Sequence, residues 1–194
     1  MNVKKGLLVG ATAFGFALSG TGLSSVAAES SDTSIPASSV SGIHSSITNQ
    51  EAAEYLNNIY DQAFTGEMPS SVHGLKINKS TKRDVHQKLG SPQKVKGQFD
   101  LYSWNMGNPG YGFSYNKDNT ISEIRNFGTG VERQTNLGGI TPAVLSEQIG
   151  SADNILAVPD TNEMDFVYET GDYELHFVVG SDQTVDHVNL KEAK

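Results

Sequence analysis

The chain has no cysteine, one tryptophan and no excess of positive charge. Without cysteine there are no disulfides, no thiolate nucleophile, no thiolate metal site and no residue for a lipobox lipid anchor. Lys and Arg number 14 against 22 Asp and Glu, a net charge of −8. That balance opposes phosphate backbones and anionic lipid surfaces, so nucleic acid is not an expected partner. A long apolar run is missing from the N-terminal region as well. Gly6 to Leu18 is uncharged but thirteen residues long, short of the roughly 20 that a spanning helix needs.

What stands there has the layout of an export signal. Lys4 and Lys5 precede the apolar run, and Val26-Ala27-Ala28 offers small residues at −3 and −1 before Glu29, the pattern of a cleaved signal peptide over residues 1–28. Cleavage removes two lysines and no acid, taking the net charge from −8 to −10. The mature protein is then expected to be secreted or wall-associated, with no transmembrane anchor. Residues 29–47 are Ser-rich and hold little to bury, which predicts a flexible linker. The remainder has an ordinary globular composition, with 37% hydrophobic and 19% charged residues overall.

Structure is predicted from Thr48, where Thr48-Asn49-Gln50-Glu51 fits a capping box. Ala52, Leu56, Ile59, Tyr60, Ala63 and Phe64 then recur at helical spacing up to Gly66 and Pro69. A second, short helix is marked at Ser80 to Pro92, with Val85 and Leu89 four apart and Gly90 as its stop. Gln93 to Gln98 reads as an edge strand. Asp100 to Met106, Tyr111 to Tyr115 and Thr120 to Phe127 follow as strands separated by Gly107-Asn108-Pro109-Gly110 and Asn116-Lys117-Asp118-Asn119 turns.

The same order returns downstream. Thr141 and Pro142 open a helix whose Leu145, Ile149 and Gly150 stand sixty positions after Val85, Leu89 and Gly90. Tyr173, Leu175 and Phe177 match Tyr111, Phe113 and Tyr115, and Thr184, Val185 and Val188 match Thr120, Ile121 and Ile124. Self-similarity at a long period marks repeated units. The expected fold class is therefore α+β, with two tandem helix-plus-antiparallel-meander units over residues 48–130 and 131–194. Their sheets, set side by side, would present one broad face.

Several stretches resemble known families. Val85 to Pro92 with Leu101-Tyr102-Ser103-Trp104 resembles BamE/SmpA/OmlA-type modules, and two tandem copies resemble the beta-lactamase inhibitory protein fold. Leu101 through Asn108-Pro109-Gly110-Tyr111, Phe127-Gly128-Thr129-Gly130 and the tail Val185 to Lys191 are similar to the YjgB family of exported Gram-positive proteins. That resemblance spans about Thr48 to Lys194 and carries no activity with it. The inhibitory-protein likeness implies a binding surface.

Catalytic patterns are weak. No G-x-S-x-G elbow is present, and Gly128-Thr129-Gly130 lacks the strand, helix and lysine of a phosphate loop. No cofactor is expected. Glu163 and Asp165 fall in an acidic stretch with Asp160, where solvation is the simpler explanation. His176 and His187 stand on neighbouring strands and, with Glu174 or Asp186, offer imidazole and carboxylate to a metal. The alternative is a polar, solvated strand face, because a metal site needs three or four ligands in fixed geometry. The aromatics of the strands are expected in the core, except Trp104 and Tyr111, which flank a turn with Asn105 and Asn108 and are candidate binding residues. The expectation is a non-enzymatic binding or envelope-associated protein whose partner is a protein or envelope component. The alternatives are an inhibitor of a secreted enzyme, or a hydrolase or metal enzyme built on His176 and His187.

Overall fold

A computed structural model describes residues 37–103 and 107–194. The export signal, the first residues of the Ser-rich segment, and Trp104, Asn105 and Met106 lie outside the described residues. Helix α1 runs Ala37–Ala63 and so begins well before Thr48. Thr48 is an interior residue, and the capping box read there does not start the helix. Serine and threonine favour caps without requiring them, and once one stretch of helix is packed each added residue gains a backbone bond. The apolar stripe behaves as its spacing predicts: Ala52, Leu56, Ile59 and Ala63 are buried, Tyr60 packs at the margin and Phe64 is half exposed. After α1 the chain passes against the Tyr173 ring at Gly66, where φ is +73° and a Cβ would lie 2.5 Å from Tyr173 Cζ.

Two shorter helices follow the sequence signals. Helix α2 spans Lys82–Leu89 behind a Thr81 capping box, in which Thr81 N donates to Asp84 Oδ2 at 2.7 Å. Helix α3 spans Pro142–Ile149 behind Thr141, whose hydroxyl accepts from Val144 N. They end at Gly90 and Gly150, with φ of +81° and +88°. Tyr102 donates its hydroxyl hydrogen to Gly90 O, and Tyr168 does the same to Gly150 O, both at 3.2 Å.

The strands are β1 Lys94–Lys96, β2 Phe99–Tyr102, β3 Tyr111–Tyr115, β4 Ile121–Asn126, β5 Asn154–Ala157, β6 Met164–Thr170, β7 Tyr173–Val179 and β8 Val185–Glu192. They form one antiparallel sheet in the order β1-β2-β3-β4-β8-β7-β6-β5. Two meanders meet where β4 pairs with β8, so the two groups of strands do lie side by side. Arg125 and Asn189 face each other at that seam.

The registers of the two meanders can be laid side by side. Phe113 pairs with Ile124 and Phe177 with Val188, while Tyr111 pairs with Asn126 and Leu175 with Leu190. Phe177 therefore stands where Phe113 does, two residues from the alignment made on sequence. A slip of two keeps every side chain on its face, so alternation alone does not detect it.

Both meanders turn their large side chains to the helices. Tyr102, Phe113, Ile124, Tyr168, Phe177 and Val188 join Leu56, Ile59, Val85 and Leu145 in one core. Each fully buried phenylalanine there contributes about 2–3 kcal/mol of transfer free energy. A single α1 serves both meanders: Tyr55 OH accepts from Asn126 Nδ2 at 2.9 Å, and the Tyr60 and Tyr168 rings meet edge to face at 6.2 Å. Among the described residues no helix is long and apolar enough to cross a membrane.

Candidate functional site

With the described helices on one side, the alternate residues of each strand form an opposite, open face. One row of cross-strand partners crosses it as Leu101, Gly112, Arg125, Asn189, His176 and Val167. At the β2–β4 end, Phe99, Leu101, Arg125 and Phe127 line a cavity of about 650 Å³ that extends to Lys96 in the β1–β2 hairpin. Gly112 is buried beneath the side chains of that lining. A Cβ there would sit 3.2 Å from Leu101 Cδ2, 3.3 Å from Phe99 Cδ1 and 3.5 Å from Phe127 Cε2. Side chains from both neighbouring strands thus lean over a position that has none.

Arg125 is fixed from three directions. Its Nε donates to Asn189 Oδ1 at 2.7 Å, its Nη2 donates to Glu123 Oε1 at 3.2 Å, and its guanidinium lies 4.5 Å from the centre of the Phe99 ring. Such stacking suits the flat, weakly hydrated guanidinium. The combination on offer is apolar walls, a held guanidinium and an exposed ammonium, which suits binding more than bond-making.

The other end of the row is closed. His176 is 5% exposed, with Nδ1 2.8 Å from Asp165 Oδ2 and Nε2 3.2 Å from Glu174 Oε2. Both ring nitrogens face carboxylates, so neither is left for a metal. His187 lies diagonally across from it, opposite Val178, and is held by Asp186 Oδ2 at 2.8 Å with its ring tilted on Phe127. Burial, helped by Arg125, keeps the His187 imidazole below its ordinary pKa of 6.5 despite Asp186. The two histidines share a face, but each has its own carboxylates. Among the described residues no three His, Asp or Glu side chains are arranged to hold a metal ion.

Of the other residues singled out from sequence, Asn108 is exposed in the β2–β3 connection, and Trp104 and Asn105 lie outside the described residues. Tyr111 is not a loop-tip residue. It is 1% exposed, and its hydroxyl donates to Pro69 O at 2.9 Å. Backbone bonds between Gly110 and residues 127–128 carry the β3–β4 pairing past the turn, which places Tyr111 inside the ladder. Asp165, read as part of an acidic loop, is a β6 residue gripping His176. Sequence reasoning missed Phe99, Gly112, Arg125 and Asn189. The available signal was period two: Gly112 falls on the opposite face from Tyr111 and Phe113.

A second polar cluster lies on the helix side. Asp100 Oδ2 is 2.9 Å from Lys82 Nζ and 3.3 Å from His86 Nε2, its side chain 3% exposed. Burial alone would raise its pKa, but the bonds from Lys82 and His86 outweigh burial and hold it below 3.8. Lys82 and His86 thereby tie α2 to β2, a scaffolding role.

Residues 56–191 match a family described as a domain of unknown function, DUF4309. A protein of Bacillus subtilis (strain 168) described as the uncharacterised protein YjgB is 64% identical over 147 residues, covering 74% of this chain and 77% of that one. The crystal structure of a DUF4309 family protein (YjgB) from the same organism superposes with a TM-score of 0.72 at 63% identity, covering 74% of this chain and 99% of that one.

Proposed function

The chain belongs to the DUF4309 family, and from that premise we propose that it is an exported binding protein that works through the open face of its sheet. The observation that carries this is the cavity lined by Phe99, Leu101 and Phe127 with Lys96 and Arg125: apolar walls and two cations on a face that no described helix covers. The N-terminal export layout supports release into the medium or retention at the envelope. The absence of a catalytic pattern in the sequence agrees with a binding role, and Asn108, exposed in the β2–β3 connection, is a second point of contact.

The scaffold itself reads as an internal duplication of residues 48–130 and 131–194. The matching Thr81 and Thr141 caps, Gly90 and Gly150 stops, tyrosine-to-glycine bonds and equivalent strand registers support it. In this reading one ancestral unit paired with its copy through the last strand of each, which yields the β4–β8 seam.

Two measurements test the proposal. N-terminal sequencing of protein recovered from the medium and the wall should begin at Glu29. Recovery of an uncleaved chain solely inside cells removes the export part. Capture from wall and extracellular fractions should lose its partner with Phe99→Ala and keep it with a substitution on exposed α1, such as Glu54→Ala. Equal capture by both variants contradicts the open-face reading.

A further inference from the structure

We propose that the groove over Gly112 binds one small organic anion, with a flat apolar body between Phe99 and Phe127 and a carboxylate directed to Lys96 and Arg125. This inference rests on the open face being a binding face and names the ligand class for it. Shape comes first. Gly112 is buried, and the room left by its missing side chain is taken by Leu101, Phe99 and Phe127, which converge over it and form the apolar lining of the groove. A cavity of about 650 Å³ falls within the range of roughly 300–1,000 Å³ for small-molecule sites. Two aromatic walls favour a flat body, because offset and edge contacts with rings add to area burial.

Charge selects the head group. The lining holds Lys96 and Arg125 and no carboxylate, in a chain whose net charge is −8. Part of the Arg125 charge is offset by Glu123 at 3.2 Å. Lys96 is exposed and has no ion pair among the described residues, so the excess positive charge sits at the mouth of the groove. Arg125 is already oriented by Asn189 and Phe99, so ordering it costs little when a carboxylate arrives. A cationic ligand would be repelled, and a neutral one would leave the ammonium without use.

The test is calorimetric titration of the protein with 2-naphthoate, 2-naphthalenemethanol and 2-naphthylmethylamine, three probes of one body and different heads. The naphthoate should bind one to one and about two- to fivefold more tightly than the alcohol, the scale of one solvent-exposed charge contact. The amine should not bind. Lys96→Ala should remove most of the advantage of naphthoate over the alcohol. Phe99→Ala should weaken all binding about tenfold, the equivalent of 1.4 kcal/mol, and Gly112→Val should abolish it. Phe99→Ala keeps the test decisive if the valine disturbs β3.

Naphthoate binding no tighter than the alcohol, or unchanged in Phe99→Ala, overturns the proposal. So does a dimer in sedimentation that Phe99→Ala dissociates, since a second copy would then fill the groove. Envelope capture unaffected by Phe99→Ala, while naphthoate binding is weakened by it as expected, would contradict the wider function alone. Intact capture without anion preference would contradict the ligand class alone.

Discussion

In β3, Gly112 stands between Leu101 and Arg125; in β7, His176 stands between Val167 and Asn189. The two positions are equivalent by strand register, and around them the open face has opposite characters. Where the residue is glycine, Phe99 and Leu101 close over it and line a groove. Where it is histidine, the ring fills the same place, and Asp165, the counterpart of Phe99, holds it there at 2.8 Å. One backbone thus carries a cavity at one end and a buried polar plug at the other. The helix side differs in the reverse sense, with Asp100 opposite Phe113 and Phe166 opposite Phe177. Strand register is common to the two meanders, and the chemistry set on it is not.

The largest way to break that contrast is His176→Gly. Asp165 and Glu174 would then face each other without the imidazole, at about 2–4 kcal/mol of stability. Urea unfolding should show the midpoint falling with the slope unchanged, since the surface exposed on unfolding hardly changes. A loss under about 0.5 kcal/mol would mean that the plug is not structural.

Next comes Asp100. Its pKa is lower in the folded protein than in the unfolded chain, so its contribution is fully present above pH 3.8 and is lost as pH falls below that value. Asp100→Asn should cost about 1–2 kcal/mol near neutrality, and the difference from the parent should shrink through the acid range. A difference that stays constant with pH would show that the Lys82 and His86 pairing is not its cause.

Gly112→His sharpens the comparison from the other side. It builds the plug where the groove was, without the Asp165 counterpart, and crowding against Leu101 and Phe99 should cost about 1 kcal/mol. Naphthoate binding should vanish at a stability that still leaves the protein folded in thermal melts. Retained binding would place the ligand elsewhere.

The smallest effect belongs to His187. Its folded pKa lies below 6.5, mainly through burial. Between that lowered value and 6.5 the unfolded chain takes up a proton that the folded one refuses. Stability should therefore be highest above pH 6.5 and slope downward as pH falls below it. His187→Gln should flatten that slope, measured as Tm against pH. An unchanged slope would assign it to another group.

Local chemistry made much of the scaffold legible. Thr81 with Asp84, and Thr141 with Pro142, announce their helices, and Gly90 and Gly150 end them, because capping is decided within a few residues. The turns around Asn116 and Asn119 are equally local. What stayed hidden depends on partners far along the chain. Tyr111 follows a Pro-Gly turn and reads as exposed, yet the ladder resumes at Gly110 and its hydroxyl finds Pro69. Asp165 looks like one more acid beside Glu163 until β6 pairs with β7 and sets it against His176. Gly112 is one glycine among 20, and its meaning appears once β2 and β4 flank it.

The most direct measurement is an amide chemical-shift map of the protein as 2-naphthoate is added. The account predicts saturable shifts clustered at Phe99, Leu101, Gly112, Arg125 and Phe127, with Val167 and His176 unmoved. Shifts centred on the His176 end, or scattered over both halves alike, would contradict it.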